Sequence, residues 1–365
     1  MAGSELDNGI YLRSTLNAEL VDGLHALTAF SPDVIPLSHT LVDPDALIKS
    51  YDQFIAHDID PDDASTPIYL RGKAVVRGKG CPEHVTTTVS LRAIQNELLL
   101  WPQVWEDASP FGSKTLTASK DGEIVATADP LDFTARQSIG RHDTLIATTD
   151  ATPHALSEKV KNWRDLVKYV GNNPTLSTYN CTFADPASLG ASVTTRLRLL
   201  NDKPEGVKLV FSIEPIGIPG SGIEASFSCF GSTPPYKPFA FGQQRVPIYP
   251  SNSVTQTVDV PSNFDGMLTL NVFNDKEQVF ANYSSISIVV YAEEVVNGDT
   301  RWVLLGAEHI VFDSNRRVRR LVRRYENRWK LAGESYDFYF RDSLTSGPEF
   351  PRDGNPSHSP GISAS

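Results

Sequence analysis

GQQRVPIYPSNSVTQTVDVPSNFDGMLTLNVFNDKEQVFANYSSISIVVYAEEVVNGDTRWVLL, residues Gly242 to Leu305, carries the pattern that decides the fold. Gln243 to Tyr249 is rich in β-branched and aromatic residues and stops at Pro250-Ser251-Asn252-Ser253. In Val254 to Val260 the side chains of Val254, Gln256, Val258 and Val260 alternate with Thr255, Thr257 and Asp259. Phe264-Asp265-Gly266 reads as a turn, and Met267 to Phe273 then sets Leu268, Leu270 and Val272 on one face. Asn274-Asp275-Lys276 breaks the pattern, and Ser285 to Tyr291 resumes it with Ile286, Ile288 and Val290. Alternation of period two, bounded by Gly, Pro, Asn and Asp, is the signature of strands with one buried face. Strands at this short, regular spacing predict an all-β sandwich.

Working upstream, the same punctuation continues. Leu176 to Phe183, Val193 to Leu200, Val207 to Ile213 and Ile223 to Phe230 are strand candidates. They are separated by Ala184-Asp185-Pro186, Asn201-Asp202-Lys203-Pro204 and the loop Gly217 to Gly222, and the last ends at Gly231 to Pro235. With the four segments already read, these make about eight strands. That is the number needed for two Greek keys folded into an antiparallel jelly roll. No region alternates helix with strand, so a parallel α/β fold is excluded.

Just ahead of this array, ALSEKVKNWRDLVKYVGNN places Val160, Trp163, Leu166, Val167 and Val170 at helical spacing. Ser157 is the expected cap, Gly171 the stop, and an amphipathic helix under a sheet the expected role. VDPDALIKSYDQFIAH predicts a second helix, capped by Asp43, with Pro44 in its first turn and Leu47, Ile48, Tyr51, Phe54 and Ile55 as its apolar stripe. Ile68 to Arg77 and His84 to Leu91 read as strands. Pro110 to Ala128 reads as a hairpin around Lys120-Asp121-Gly122, and 129–153 as an extended connection. The expected organisation is an N-terminal arm or small mixed subdomain (1–154), a jelly roll (155–310), and a basic helix with a flexible tail (311–365). The fold is thus expected to carry a few short helices and extended N- and C-terminal regions.

The 365 residues suffice for a large core. A formal net charge of −11 argues against a protein that coats nucleic acid with its whole surface, though not against one local basic patch. Cys81, Cys181 and Cys229 form no paired spacing, which predicts free thiols and neither a disulfide framework nor a zinc site. MAGSELDNGIYLRS has no basic or apolar signal region, and no apolar run of spanning length occurs, so neither a leader nor a membrane span is expected.

Two strings carry a resemblance. FDGMLTLNVFND followed by SSISIVVYAEEVVNGDTRWVL resembles the last two strands of picornavirus-like capsid jelly rolls, and RVPIYPS resembles the start of a preceding strand in them. Glu158, Lys159, Arg164, Leu166, Lys168 and Tyr169 match a helix that precedes the first strand in dicistrovirus- and marnavirus-type capsid proteins, with Ser157 where those have Gly. The resemblance implies a structural subunit of a small non-enveloped positive-strand RNA virus. It would co-assemble with other capsid proteins into an icosahedral virion after synthesis in the host cytoplasm, with no enzymatic activity and no cofactor. No Asp-Asp-Phe cleavage motif is present, and the acidic N-terminal region departs from capsids that neutralise RNA with basic arms. The other reading is a non-viral β-sandwich binding module for carbohydrate or protein.

The candidate sites lie at the two ends. Arg316, Arg317, Arg319, Arg320, Arg323, Arg324 and Arg328 surround an apolar stripe of Val318, Leu321, Val322, Tyr325 and Trp329. Clustered guanidinium groups repel one another unless anions are near, and Arg binds phosphate and carboxylate bidentately. Genomic RNA, an acidic neighbouring subunit and solvent are the three partners open to this face. Asp58, Asp60 and Asp62 are spaced like the start of a calcium loop. Tyr69 stands where an EF-hand needs Glu, which leaves only a loose site completed by another loop. YDQFIAHDID resembles the distal motif of animal haem peroxidases through Gln53, His57 and Asp58. Ala56 replaces an acidic residue there, and the β-rich remainder speaks against that fold.

Overall fold

The structure, a computed structural model, describes residues 7–14, 31–37, 42–56, 59, 65–77, 83–135, 143–171, 173–201, 204–250, 252–296 and 299–313. The first part contains β1 (Gly9–Tyr11), β2 (Val34–Pro36), α1 (Pro44–Lys49), β3 (Thr66–Val75), β4 (Val85–Gln95), α2 (Pro102–Trp105), β5 (Gly112–Ala118), β6 (Ile124–Ala126), β7 (Leu131–Phe133) and β8 (Asp143–Thr149). Then come α3 (Leu156–Lys159), α4 (Trp163–Leu166), a π-helical turn (Val167–Gly171) and β9 (Leu176–Tyr179). The sandwich follows as β10 (Cys181–Ala184), β11 (Gly190–Arg198), β12 (Val207–Ile216), β13 (Ile223–Thr233), β14 (Lys237–Ile248), β15 (Val254–Val260), β16 (Asp265–Phe273), β17 (Ser285–Val296) and β18 (Asp299–Phe312). The fold is all-β.

Seven of the eight expected strands correspond to β11 through β17, while the first, Leu176 to Phe183, is divided into β9, which pairs with β8, and β10, which opens the sandwich. From β10 to β17 the pairing is that of a rolled-up ribbon. The second strand pairs with the seventh (β11 with β16), the third with the sixth (β12 with β15) and the fourth with the fifth (β13 with β14), all antiparallel. Such nested pairing, split over two facing sheets, defines a jelly roll. The sheets run β11-β16-β13-β14 and β10-β18-β17-β12-β15. The departure lies at the ends of the ribbon. β18 is inserted between β10 and β17, parallel to the first and antiparallel to the second. The sandwich therefore has nine strands, and the ninth is the return of the Gly242–Leu305 stretch beyond Asp299.

Alternation sets the core. Leu268, Leu270 and Val272 of β16 point inward, as do Ile286, Ile288 and Val290 of β17, and all are buried. Between the sheets Phe211 of β12 stacks on Phe227 of β13 (centroids 5.6 Å) and packs on Phe241 of β14 (4.9 Å). The sandwich is also sealed by a segment from outside it. After β4, residues Leu98 to Trp101 and Trp105 join the sandwich core. Trp101 Nε1 donates to the Arg198 carbonyl (2.6 Å), and the Leu98 carbonyl lies where a Cβ on Gly306 would come within 2.0 Å of it. Only glycine allows that approach.

Residues 143–149, expected as part of an extended connection, form β8. Every one of its residues is buried. Ile146 faces the sandwich core, while Leu145 and Ala147 face a second core built from β1 to β5. A strand buried on both faces shows no alternation, which is why DTLIATT conceals it. The turn at Lys120-Asp121-Gly122 exists, but its arms do not pair: β5 pairs with β4, and β6 pairs with β3. Glu123 holds this turn by accepting from the Ser119 and Lys120 amides.

The helix expected from Ser157 to Gly171 is broken in two. Ala155 adopts a left-handed conformation (φ 55°), and Val160 is extended. Capping comes from elsewhere: the Glu106 carboxylate accepts from the Leu156 and Ser157 amides (2.6 and 2.7 Å), and Asn162 caps α4. The apolar stripe still serves as predicted, since Val160, Trp163, Leu166 and Val170 are buried in the sandwich core. At α1 the prediction holds for the start, where the Asp43 side chain accepts from Asp45 N and Pro44 opens the helix. The helix ends at Lys49 because Arg71 takes over its last carbonyls.

That arginine is fully buried. Its guanidinium donates to the Leu47 and Ser50 carbonyls (2.9 and 2.7 Å) and to the Pro32 carbonyl, while Nε pairs with Asp33 (3.0 Å). Arg13 grips the other side of Asp33 through Nε and Nη2 (3.0 and 2.8 Å) and lies 3.5 Å from the Tyr51 ring centroid. Asp33 thereby ties the chain near β1, β2, β3 and α1 together around one carboxylate.

Candidate functional site

Arg316, Arg317, Arg319, Arg320, Arg323, Arg324 and Arg328 all lie outside the described residues, and so do His57, Asp58, Asp60 and Asp62. Gln53 is described, and its backbone carbonyl accepts from Arg71 (3.2 Å). The basic segment begins directly after Asp313, whose amide donates to the Ala184 carbonyl (3.0 Å) at the β10–β18 edge. Among the described residues no helix is long and apolar enough to cross a membrane.

Three polar groupings stand out. The first joins the N-terminal sheets to the sandwich. Asn180, between β9 and β10, donates to Asn96 Oδ1 (2.8 Å) and Glu308 Oε2 (3.0 Å), and Thr195 also donates to Asn96 (3.1 Å). Beside Glu308, His309 is buried with its Nδ1 2.7 Å from Ser287 Oγ. Burial pushes its pKa down to about 4 despite the Glu308 charge, so the ring is neutral at pH 7.

The second is centred on Glu97. Its backbone bridges to Arg196 beside β11, and its side chain is only 2% exposed. Glu97 Oε1 accepts from Arg198 (3.1 Å), and Arg196 Nη1 lies 3.7 Å away. Arg196 is committed to Asp265, which it binds through Nε (2.8 Å) and Nη2, and that bond holds the Asp265 pKa down. Glu97 Oε2 and Arg198 Nε are buried without a hydrogen-bond partner among the described residues. Burial accordingly lifts the Glu97 pKa to about 7, against the pull of Arg198 and Arg196.

The third is an open cleft of about 400 Å³ between α4, the β11–β12 connection and the start of β12. Trp163 and Val207 reach it from the core, and Asn162, Asn201, Lys208 and Glu293 are among the polar residues around it. Lys208 Nζ pairs with Glu293 (2.5 Å), and Arg164 lies 4.3 Å over the Trp163 ring.

Exposed apolar side chains are spread over the sandwich. Phe230 projects from the outer face of β13 beside Met267 and Ala240, and Tyr236 caps the β13–β14 turn at 88% exposure. Ile216 ends β12, and Trp302 stands on the outer face of β18. Sequence reading passed over Glu97 and Trp302. The one signal for Glu97 was a lone charge abutting the apolar run Leu98 to Trp101, which is unusual outside a paired site.

No protein-family model matches the sequence, and no curated protein does. Among solved structures, the N-terminal domain of PorA is 13% identical, over 36% of this chain and 83% of that one, with a TM-score of 0.21. The CupB6 tip adhesin from Pseudomonas aeruginosa is 8% identical over 70% and 93% (TM-score 0.18). The CFA/I adhesin CfaE of enterotoxigenic E. coli is 9% identical over 85% and 94% (TM-score 0.21). Likenesses this slight carry no argument about what this chain does.

Proposed function

We propose that this chain is a structural capsid subunit of a small non-enveloped positive-strand RNA virus, co-assembling with other capsid proteins into a closed shell. The observation that supports the reading is the nested pairing of β11 with β16, β12 with β15 and β13 with β14. It is the architecture expected from the capsid-like strings, and it builds a rigid two-sheet block. Closed symmetry then asks each copy to present apolar contact surface to its neighbours. Phe230, Tyr236 and Ile216 offer such surface on the outside of the block. The partners in this reading are other capsid subunits, with genomic RNA or an acidic neighbour opposite the arginines of 316–328.

The experiment is expression of the chain alone and together with the products of adjoining reading frames, followed by size-exclusion chromatography and negative-stain microscopy. Shells or shell fragments are the expected outcome. A chain that stays monomeric under every co-expression condition would refute the assembly reading and leave the β-sandwich binding module. Replacing Arg319, Arg320, Arg323 and Arg324 by Glu separates the partners of the basic segment. If RNA is the partner, RNA binding by the unaltered chain falls steeply with salt and the variant loses that dependence.

A further inference from the structure

We propose that residues 318–329 of this same chain dock in cis on the end of the sandwich at Leu189 and Val279, whether or not the chain assembles. Leu189, in the β10–β11 connection, is 62% exposed, and Val279, in the β16–β17 connection, is 74% exposed. Ala187 and Ala281 nearby are exposed as well. The two connections form one surface. Asn274 Nδ2 donates to both the Ser188 and the Gln278 carbonyls (3.0 and 2.7 Å), and the Asn274 amide donates to the Leu189 carbonyl (2.8 Å). On the other side the Phe280 amide donates to the Pro186 carbonyl (3.2 Å). The backbone on both sides of each apolar residue is thus laced to the opposite connection. Single exposed apolar side chains need no explanation, but several gathered on one braced ledge mark a contact surface.

The path of the chain selects the occupant. β18 leaves the sandwich through this end. Phe312 stacks on Phe280, the residue after Val279 (centroids 3.6 Å, planes 5° apart), and the Asp313 amide donates to the Ala184 carbonyl (3.0 Å), where the β10–β11 connection starts. Val318, the first residue of the apolar stripe, follows Asp313 by five positions, a reach of at most ~18 Å for an extended chain. As the helix its spacing predicts, Val318 to Trp329 would run about 18 Å, enough to cross two sheets packed ~10 Å apart. Its stripe of Val318, Leu321, Val322, Tyr325 and Trp329 needs a dry partner, and the ledge needs a cover. The longest other stretch outside the described residues, 15–30, is held at both ends beside β9 instead. There Ser177 Oγ donates to the Arg13 carbonyl, and the Ser31 amide donates to the Thr178 carbonyl (2.9 Å each). Charge agrees with the choice. Glu277 is exposed two residues before Val279 and offers a carboxylate to the arginines that flank the stripe, while Asp275 already binds Arg245. Docked by its stripe, the segment turns its remaining arginines outward.

The test is hydrogen–deuterium exchange on the full chain, read by mass spectrometry, for the unaltered protein and for the double variant Leu189→Asp, Val279→Asp. Both positions are exposed, so the variant should keep the fold, and exchange over β11 to β17 checks that directly. Amides of 318–329 are expected to exchange about tenfold or more faster in the variant, as the loss of buried apolar contacts requires. A photoreactive benzoylphenylalanine in place of Val279 should crosslink to 314–330 within a single chain, and one in place of Phe230, on the outer face of β13, should not. The proposal is overturned if exchange over 318–329 is the same in both proteins, if the crosslink from 279 joins another segment or another chain, or if position 230 captures 314–330 as well as 279 does.

Discussion

Replacing Glu97 by Gln should make the protein's stability less dependent on pH, and the sign is opposite to that of an ordinary ion pair. Glu97 is buried beside two arginines, one of which is already committed to Asp265. Its second oxygen has no partner among the described residues. The folded protein therefore disfavours the charged form, and the carboxyl pKa rises from 4.5 to about 7. Because the folded state holds this proton more tightly than the unfolded state, the contribution is fully present below pH 4.5 and is lost as pH rises through 7. At ~1.36 kcal/mol per pH unit, the gap amounts to about 3 kcal/mol, an upper limit for a site that relaxes. Glutamine has no such titration. The stability difference between Glu97→Gln and the unaltered chain, from urea unfolding at pH 4, 6 and 8, should shift in the variant's favour by up to about 3 kcal/mol across that range. The comparison is between variants, so other titrating groups cancel. If the difference is flat, or if the variant loses ground as pH rises, the Arg198 ion pair outweighs burial and the reasoning fails.

His309 gives the opposite limb. Its folded pKa, held near 4 by burial, lies below the usual 6.5, so its contribution is present above pH 6.5 and is lost as pH falls through 4. The ring resonances should stay those of neutral imidazole down to pH 5 by NMR, and titration near 6.5 would show the site to be open to water. Asp33→Ala should cost about 3–5 kcal/mol in urea unfolding, because Arg13 and Arg71 would both be left buried without their carboxylate. A loss under about 1 kcal/mol would place the cluster at a solvated surface. Gly306→Ala should lower stability by about 1–3 kcal/mol, since its methyl group would meet the Leu98 carbonyl. An unchanged melting temperature would mean that the 96–105 segment does not seal the sandwich.

What could be read in advance followed from one physical condition, a strand with one wet face and one dry face. β11, β12, β13, β15 and β16 satisfy it and were found within a few residues of their limits, whereas β14 begins at Lys237, six residues ahead of the expected Gln243, and β17 runs on to Val296, five beyond the expected Tyr291. β8 fails it, being buried on both sides. β18 was hidden for a different reason. In DTRWVLLGAEHIVF the buried polar residues Glu308 and His309 interrupt the apolar pattern, and the Asn297-Gly298 turn signal just ahead of the strand was passed over. The helix before the sandwich was legible as a stripe but not as a continuous rod. Its break falls at the extended Val160, and its start is capped by Glu106, some fifty positions away in the chain. Of the polar sites only Glu97 left a trace, as a lone charge beside Leu98 to Trp101. Glu97, Arg196 and Asp265 become neighbours only through pairing at β11, and no local spacing encodes that.

The insertion of β18 changes what the sandwich can do with its ends. In a simple rolled ribbon the first and last strands pair, and the chain leaves from the same edge by which it entered. Here β18 occupies that place, so β10, still the edge strand, is bonded in parallel to β18 over Cys181–Ala184. The short pairing at β10 leaves that edge narrow, and β9 immediately before it belongs to the sheet of β4, β5 and β8. One crossing of the chain at Asn180 thus links two sheets, and the side chain at that crossing is bonded to Asn96 and to Glu308 of the inserted strand. Glu308, one of the two polar residues that blur β18 as a sequence signal, ties it to the N-terminal sheets, while His309 bonds Ser287 of β17. An apolar residue at 308 would have made the strand easier to read and would have left Asn180 with one fewer acceptor in a site with no access to water.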